Sequence, residues 1–339
     1  MSGAPSELAI TVIVPAYNAI AFLQRSLPPL LEMQNSGEIL EVIVADDGST
    51  DDTAHFAETM GARVLKNPKR GGPGAARNYA APHAQGQILW FVDADVIVRP
   101  GTAHLIIETF KDDAVWALHG SYDDHPPAKN FMSQYKNLMH RFYHQTAREE
   151  ASTFWSGCGA VRKERFLASG GFDVKKFTKP SVEDIDLGYR LKEMGGRLRL
   201  VKALECTHLK FWTLRNAIET DIFARAIPWS RLLVRRPSLT DDLNVSSAER
   251  LRAIIAGLFF LSCGLSPFVP NGWLLLIIAT GLIYLANRNL FSFFLIRKGI
   301  FFSILSILYH QIYYIYSSCC FVYCVVEFKF FSRDVERFS

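Results

Sequence analysis

Along the first two hundred residues, apolar positions form short unbroken runs, and between the runs they recur every three or four residues. Leu8–Val14, Ile39–Val44, Val64–Leu65, Ile88–Val92 and Val115–Gly120 are runs of strand type. Between them Ile20–Met33, a segment from Ser49 to Met60, one that Pro73 opens and that ends by Gly86, and Gly101–Lys111 read as helices. Ser49 is expected to cap the second helix and Gly61 to close it. This βαβα order predicts an α/β domain with a mostly parallel sheet and helices on both faces. Right-handed crossovers then set the carboxyl ends of the strands along one edge, where open α/β sheets bind ligands.

The pattern changes near residue 250. Leu251–Val269, Trp273–Ala286 and Ile300–Val326 are almost wholly apolar. A membrane span takes about 20 such residues, so about three transmembrane helices are expected, although a buried soluble helix shares this composition. Arg288, Arg297 and Lys298 follow the second run, which puts that loop in the cytoplasm. Three spans would leave the C-terminus outside, and Lys329, Arg333 and Arg337 argue against that side. Trp212–Arg236 interleaves Arg215, Arg225, Arg231 and Arg235 with Leu214, Ile218, Phe223 and Trp229. A basic amphipathic stretch of this kind suits a membrane surface, and it also suits the solvated face of an ordinary helix. The expected organisation is a catalytic domain over residues 1–211, amphipathic interface helices over 212–250, and a transmembrane region with its tail over 251–339.

The net charge of +4 over 339 residues comes without a dense Lys/Arg cluster, which excludes nucleic acid as a partner and fits an anionic membrane face. Six cysteines without a CxxC pair exclude a disulfide framework or a zinc site. Met1–Glu7 has no basic segment leading into an apolar one, so no signal peptide is read, and the catalytic domain is expected in the cytoplasm on an inner or cell membrane. Nothing in the pattern bears on oligomeric state.

Candidate chemistry gathers at or just beyond the strand ends. Pro15-Ala16-Tyr17-Asn18 follows the first strand, where Pro and Tyr can wall a flat ring or simply turn the chain. Asp46-Asp47-Gly48-Ser49 follows the second, and two adjacent acids exceed what a helix cap needs, so they are candidates to accept hydrogen bonds from a base or ribose. Arg70–Asn78 is glycine-rich and opens a helix; its backbone can approach phosphate, and Arg77 is a candidate for a diphosphate oxygen. Asp93-Ala94-Asp95 ends the third long strand. On an extended segment alternate carboxylates point the same way and can share a hard divalent cation, although a bare D-x-D is often only a turn. Further on, Asp184 in Ser181–Asp186 has the type of a general base but also capping-box spacing from Ser181. His208 is a candidate third metal ligand or an ordinary buried histidine.

In this order the pieces resemble the family 2 inverting glycosyltransferases of the GT-A fold, a Rossmann-like architecture. The matching segments are Val12–Asn18, Asp46–Asp51, Gly74–Asn78, Asp93–Asp95 and Glu183-Asp184, covering roughly residues 8–210. The resemblance implies a UDP- or GDP-sugar donor and Mn2+ or Mg2+. It implies that Pro15, Tyr17, Asn18, Asp46, Asp47, Arg77, Asp93 and Ala94 serve the donor, that Asp95 binds the metal with His208, and that Asp184 is the catalytic base. Trp155, Gly157 and Glu183 are expected on the acceptor side. Ala19 stands where many members carry an acid, and Arg225–Trp229 only distantly echoes the Gln-x-x-Arg-Trp signature of processive synthases, so processive synthesis is not expected. The apolar C-terminal part points to a lipid or lipid-linked acceptor at a membrane. Transfer to a polyprenyl phosphate is the nearest alternative. A nucleotidyltransferase or a non-catalytic membrane scaffold are the rivals from other classes.

Overall fold

A computed structural model describes residues 8–235 and 247–330. Met1–Glu7, Arg236, Arg333 and Arg337, on which some expectations rested, lie outside the described residues. The described chain divides into two compact units, one holding residues up to Lys129 together with His144–Phe211, the other holding Asn130–Tyr143 and the residues from Trp212 onward.

The first unit is built on a nine-stranded sheet. In chain order its elements are β1 (Ile10–Ala16), α1 (Ile20–Asn35), β2 (Glu41–Asp46), α2 (Thr53–Met60), β3 (Arg63–Lys66), α3 (Pro73–Ala80), β4 (Ile88–Val92), β5 (Val96–Val98), α4 (Thr102–Phe110) and β6 (Val115–Tyr122). After α5 (Phe131–Thr146), which runs from the second unit into the first, come β7 (Glu150–Ala151), β8 (Cys158–Arg162), α6 (Lys163–Ala168), α7 (Glu183–Glu193) and β9 (Arg197–His208). The strand order is β3-β2-β1-β4-β8-β6-β9-β5, with β7 on β9. β1 pairs in parallel with β2 on one side and β4 on the other, so the chain reverses its direction of build at β1. That reversal opens a crevice at the carboxyl ends of β1, β2 and β4.

The unbroken apolar runs arise because this sheet is buried on both faces. Val12, Val14, Val42, Val44, Trp90 and Val92 pack against Leu23, Leu27 and Leu30 of α1 and Ile106 and Phe110 of α4. The alternate residues Ile13, Ile43, Ala45, Leu89 and Phe91 pack on Ala76 and Ala80 of α3, Phe166 of α6, and Leu187 and Leu191 of α7. The expected cap fails at α2. Its first residue is Thr53, whose backbone N–H donates to the Asp51 carboxylate at 3.1 Å, while the Ser49 hydroxyl accepts from the Asn18 backbone instead.

The second unit is helical. α8 (Leu214–Glu219) starts with a capping box between Thr213 and Asn216 and runs through a π-helical stretch, Thr220–Ala226, into α9 (Ile227–Arg235). α10 (Ser247–Leu265) and α11 (Gly272–Phe330) follow, with non-helical backbone inside α11 at Asn287 and Gly299. Among the described residues two helices, where about three were expected, are long and apolar enough to cross a membrane: Ser247–Phe268 and Gly272–Lys298. The third run, Ile300–Val326, is helical but buries Ser303, Ser306, His310 and Gln311, which a lipid-facing helix would not carry in such number.

In the first unit β6 and β9 pair in parallel with a register shift between His119 and Ser121. A Cβ on Gly120, inside that shift, would stand 2.2 Å from the Leu204 carbonyl oxygen. Gly120→Ala is therefore expected to destabilise the first unit by about 1–3 kcal/mol, read as a lower denaturant midpoint at unchanged slope.

Candidate active site

At the carboxyl edge of β1 and β2 lies a cavity of about 490 Å3, lined by Pro15, Ala16, Tyr17, Asp47, the Arg70–Pro73 loop and Thr178–Pro180. Tyr17 is over a third exposed, and the Arg70 guanidinium stands 3.7 Å above its ring centroid. Pro15 and Tyr17 thus lie on the cavity wall. Asp47 has a different job from the one expected. It is buried, and its carboxylate accepts from the Gly71 and Gly72 backbone N–H groups at 3.0 and 2.7 Å and from Asn67 Nδ2 at 2.8 Å. It shapes the glycine loop, with both oxygens engaged. Asp46 is also buried, and its Oδ1 accepts from the Ser49 backbone N–H at 3.2 Å. Asn18 has φ 47°, and its side chain exchanges hydrogen bonds with Thr50, tying the loop after β1 to the loop after β2.

A second cluster forms where β4 ends. Asp93-Ala94-Asp95 is not extended. The Val96 N–H donates to the Asp93 carbonyl at 3.0 Å, closing a tight turn from β4 into β5. The two carboxylates therefore part. Asp93 pairs with Arg77. Arg77 is itself 2% exposed and lies over the rings of Phe91 and Phe172 at 5.8 and 5.5 Å, so it holds Asp93 from inside and has no face open to a diphosphate. Asp95 Oδ2 lies 3.4 Å from His208 Nε2, because β5 pairs antiparallel with β9 and brings Val96 opposite His208. The Ala94 carbonyl accepts from the Ser26 hydroxyl of α1 at 2.6 Å, and the Asp93 N–H donates to the Gly157 carbonyl at 3.0 Å. Four separate elements fix this turn.

Asp184 is not a helix cap either. The N-cap of α7 is Val182, without a side-chain bond. Asp184 Oδ2 instead accepts from the Ser156 backbone N–H at 3.1 Å and the Ser156 hydroxyl at 3.3 Å, which binds the start of α7 to the Trp155–Gly157 segment. Asp93 and Asp184 are linked through the Trp155–Gly157 segment, since the Gly157 carbonyl accepts from the Asp93 N–H and Ser156 donates to Asp184, while Asp95 stands at His208. Burial pushes the Asp95 carboxyl up, but His208 and Lys210 outweigh it and hold Asp95 below its ordinary value. Trp155 packs over Gly157, where a Cβ would meet the indole ring at 2.6 Å. Glu183 is buried beside Gly74 at the start of α3, next to the glycine loop.

Sequence reading missed Tyr122. The Tyr122 ring stacks on His208 with centroids 4.5 Å apart and 7° between planes, and it meets Trp155 edge-on at 4.8 Å. Its position as the last residue of β6, at the edge where ligands bind, was the available signal. Ser156, which the sequence places with Trp155 and Gly157 on the acceptor side, also holds Asp184, a link that exists only through the packing of α7. Among the described residues no group of three or more His, Cys, Asp or Glu side chains is arranged to hold a metal ion. The donor set of one carboxylate and one imidazole fits an oxygen-preferring cation that completes its shell from substrate phosphates.

This edge brings a cavity, a glycine loop and an acidic turn together at the carboxyl ends of an α/β sheet, where ligands of such sheets bind. Residues 11–168 match the family Glycosyl transferase family 2, and the chain carries a domain of that family on the GT-A fold. A pre-mycofactocin glycosyltransferase of Mycobacterium tuberculosis is 30% identical over 74% of this chain, and the match covers 53% of that relative. A validoxylamine A glucosyltransferase of Streptomyces hygroscopicus is 26% identical over 72% of this chain and 65% of its own length. The chain thus spans a little over half to two thirds of these relatives. Among solved structures, a mannosyltransferase from Pyrobaculum calidifontis in complex with GDP-Man and Mn2+ shares the fold with a TM-score of 0.54 at 20% identity, over 95% of this chain and 90% of that one.

Burial and the neighbouring Asp184 push the Glu183 carboxyl up to about 7. An acid raised in the folded state stabilises the fold below its unfolded value of about 4.5, and that contribution is lost as pH rises through about 7. The melting temperature is expected to fall between pH 5 and 8, and Glu183→Gln should flatten that fall.

Proposed function

We propose that this protein is a metal-dependent, inverting glycosyltransferase that moves a sugar from a nucleoside-diphosphate sugar to a hydroxyl acceptor, bound or presented at a membrane. The observation that carries the proposal is the Asp95–His208 pair at the Asp93 turn, with Asp184 held by Ser156 next to Gly157, whose carbonyl accepts from the Asp93 N–H, on the sheet edge that also carries the cavity at Tyr17. Complexes of proteins with this fold contain GDP-Man and Mn2+, or UDP, GalNAc and Mn2+, which supports a nucleotide-sugar donor and a divalent cation.

In this reading Tyr17 and Pro15 bound the base, and the glycine loop, whose Gly71 and Gly72 N–H groups are taken by Asp47, carries Arg70 on the cavity wall, where its guanidinium can meet the diphosphate. Arg77 positions Asp93 at the ribose end of the donor. Asp95 and His208 would hold Mn2+ or Mg2+, which when bound offsets charge on the departing diphosphate. Asp184, oriented by Ser156, takes the proton of the acceptor hydroxyl as its oxygen bonds to the anomeric carbon. The bond from that carbon to the phosphate oxygen breaks on the opposite side, and configuration inverts. Trp155 offers a face to the acceptor.

The two apolar helices supply the anchor. In this reading two spans return the chain to the side on which it entered, and the basic Arg297, Lys298 and Lys329 support a cytoplasmic side for the first unit. A lipid-linked hydroxyl acceptor then meets the enzyme at the bilayer. A polyprenyl phosphate is already ionised and would not need Asp184.

The test is one set of measurements on the detergent-purified chain. Nucleoside diphosphates are expected to raise its melting temperature, more so with Mn2+. Asp184→Asn should keep that shift and lose transfer by at least about 100-fold. Asp95→Ala should lose the Mn2+-dependent part of the shift. Full turnover by Asp184→Asn would overturn the base assignment, and release of pyrophosphate would make the protein a nucleotidyltransferase.

A further inference from the structure

The second unit holds a cavity of about 840 Å3, bounded by α9, the first turns of α10 and the C-terminal half of α11. It is at the upper end of the size range for ligand pockets, about 300–1,000 Å3. Its lining includes the apolar side chains of Leu233, Ile254, Phe321, Val322 and Val325. Arg225, Trp229, Tyr313 and Ser317 line it as well. Two acids also line it, but their charge is already matched within the unit. Asp221 accepts from Lys136 Nζ at 2.5 Å and from the Tyr316 hydroxyl at 2.9 Å. Glu249 pairs with Arg252 and accepts from the hydroxyls of Tyr143 at 2.9 Å and Tyr314 at 2.6 Å. Arg225, in contrast, is exposed and makes no ion pair or hydrogen bond among the described residues. The unmatched charge of the cavity is therefore positive.

The place of the cavity along the chain gives its depth. Glu249–Ile254 are the opening turns of a helix that meets the length and composition of a span from Ser247. The opening turns of a span lie at headgroup level, where Trp and Tyr gather and Arg meets lipid phosphate. Arg225 and Trp229 come from the basic amphipathic stretch, the kind of segment that lies in that plane.

We infer that this cavity binds one anionic glycerophospholipid of the surrounding bilayer, its phosphate at Arg225 and an acyl chain along Leu233, Ile254 and Phe321. The lipid is a resident ligand that seats the helical unit at the interface, separate from the transfer site. The inference rests on the membrane reading of α10 and α11, but it does not depend on donor, metal or base.

The experiment uses the full chain in a mild detergent, with phosphatidylglycerol or phosphatidylcholine added and bound lipid counted by native mass spectrometry. Phosphatidylglycerol is expected to remain bound at one per chain, with at least tenfold preference, and to raise the melting temperature. Arg225→Glu should lose the preference, and Ala253→Trp, which fills the cavity, should lose the lipid. Both variants should keep the shift with nucleoside diphosphate, which reports a folded first unit. Equal retention of phosphatidylcholine, unchanged binding by Arg225→Glu, a shift with inorganic phosphate alone, or a polyprenyl phosphate held in preference would each overturn the assignment. Failure of the membrane reading is distinct: the protein would then stay in solution when the membranes are pelleted.

Discussion

A guanidinium inside an apolar core has to meet a carboxylate, and at Arg77 that requirement organises the candidate active site. The side chain is buried against Phe91 and Phe172, and Asp93 is its partner. Removing one partner of such a pair strands the other charge, at about 3–5 kcal/mol. The pair therefore fixes where β4 ends and where the chain turns. Once Asp93 is fixed, the contacts from Ser26 and Gly157 settle the rest of the turn, and β5 delivers Asp95 to His208 on β9. The position of Asp95 follows from a charge two residues earlier that faces the interior.

The same economy recurs on the other side of the crevice. Asp47 uses its carboxylate on the backbone of Gly71 and Gly72, so the glycine loop is held in shape before any ligand arrives. Asn18 and Thr50 lock the two neighbouring loops together. What faces the cavity is then ring, backbone and the Arg70 cation over Tyr17. On the far side Tyr122 bridges His208 and Trp155 by ring contact, joining the metal-ligand candidate to the acceptor-side candidate through one rigid side chain. Groups that do no chemistry set the geometry of those that would.

The helical unit obeys the same rule with different material. Lys136 and Asp221, both buried, answer each other, and Glu249 is met by Arg252 and two tyrosines. Buried charge is tolerated there because each of these groups also meets a partner from another segment of the unit, Glu249 through Tyr143 and Tyr314 and Arg252 through the Ala286 carbonyl. That explains why the third apolar run of the sequence is less apolar inside than its length suggested. Residues such as His310 and Gln311 face an interior, not lipid.

The sequence by itself determined the sheet and the edge. Alternation hidden inside unbroken apolar runs is what a sheet buried on both faces requires, and Ile88–Val92 formed as read. The placing of the acidic clusters at strand ends was legible too, because a parallel sheet puts those ends together whatever the loops do. The roles inside the clusters were not legible. Spacing said that Asp93 and Asp95 might share a ligand, that Arg77 faced phosphate, that Ser49 capped a helix and that Ser181 and Asp184 framed one. Each was decided by a contact from far along the chain: Arg77 to Asp93, β9 to Asp95, Asn18 to Ser49, Ser156 to Asp184. A carboxylate's function depends on what reaches its oxygens, and those partners are set by packing between elements, which no local pattern encodes.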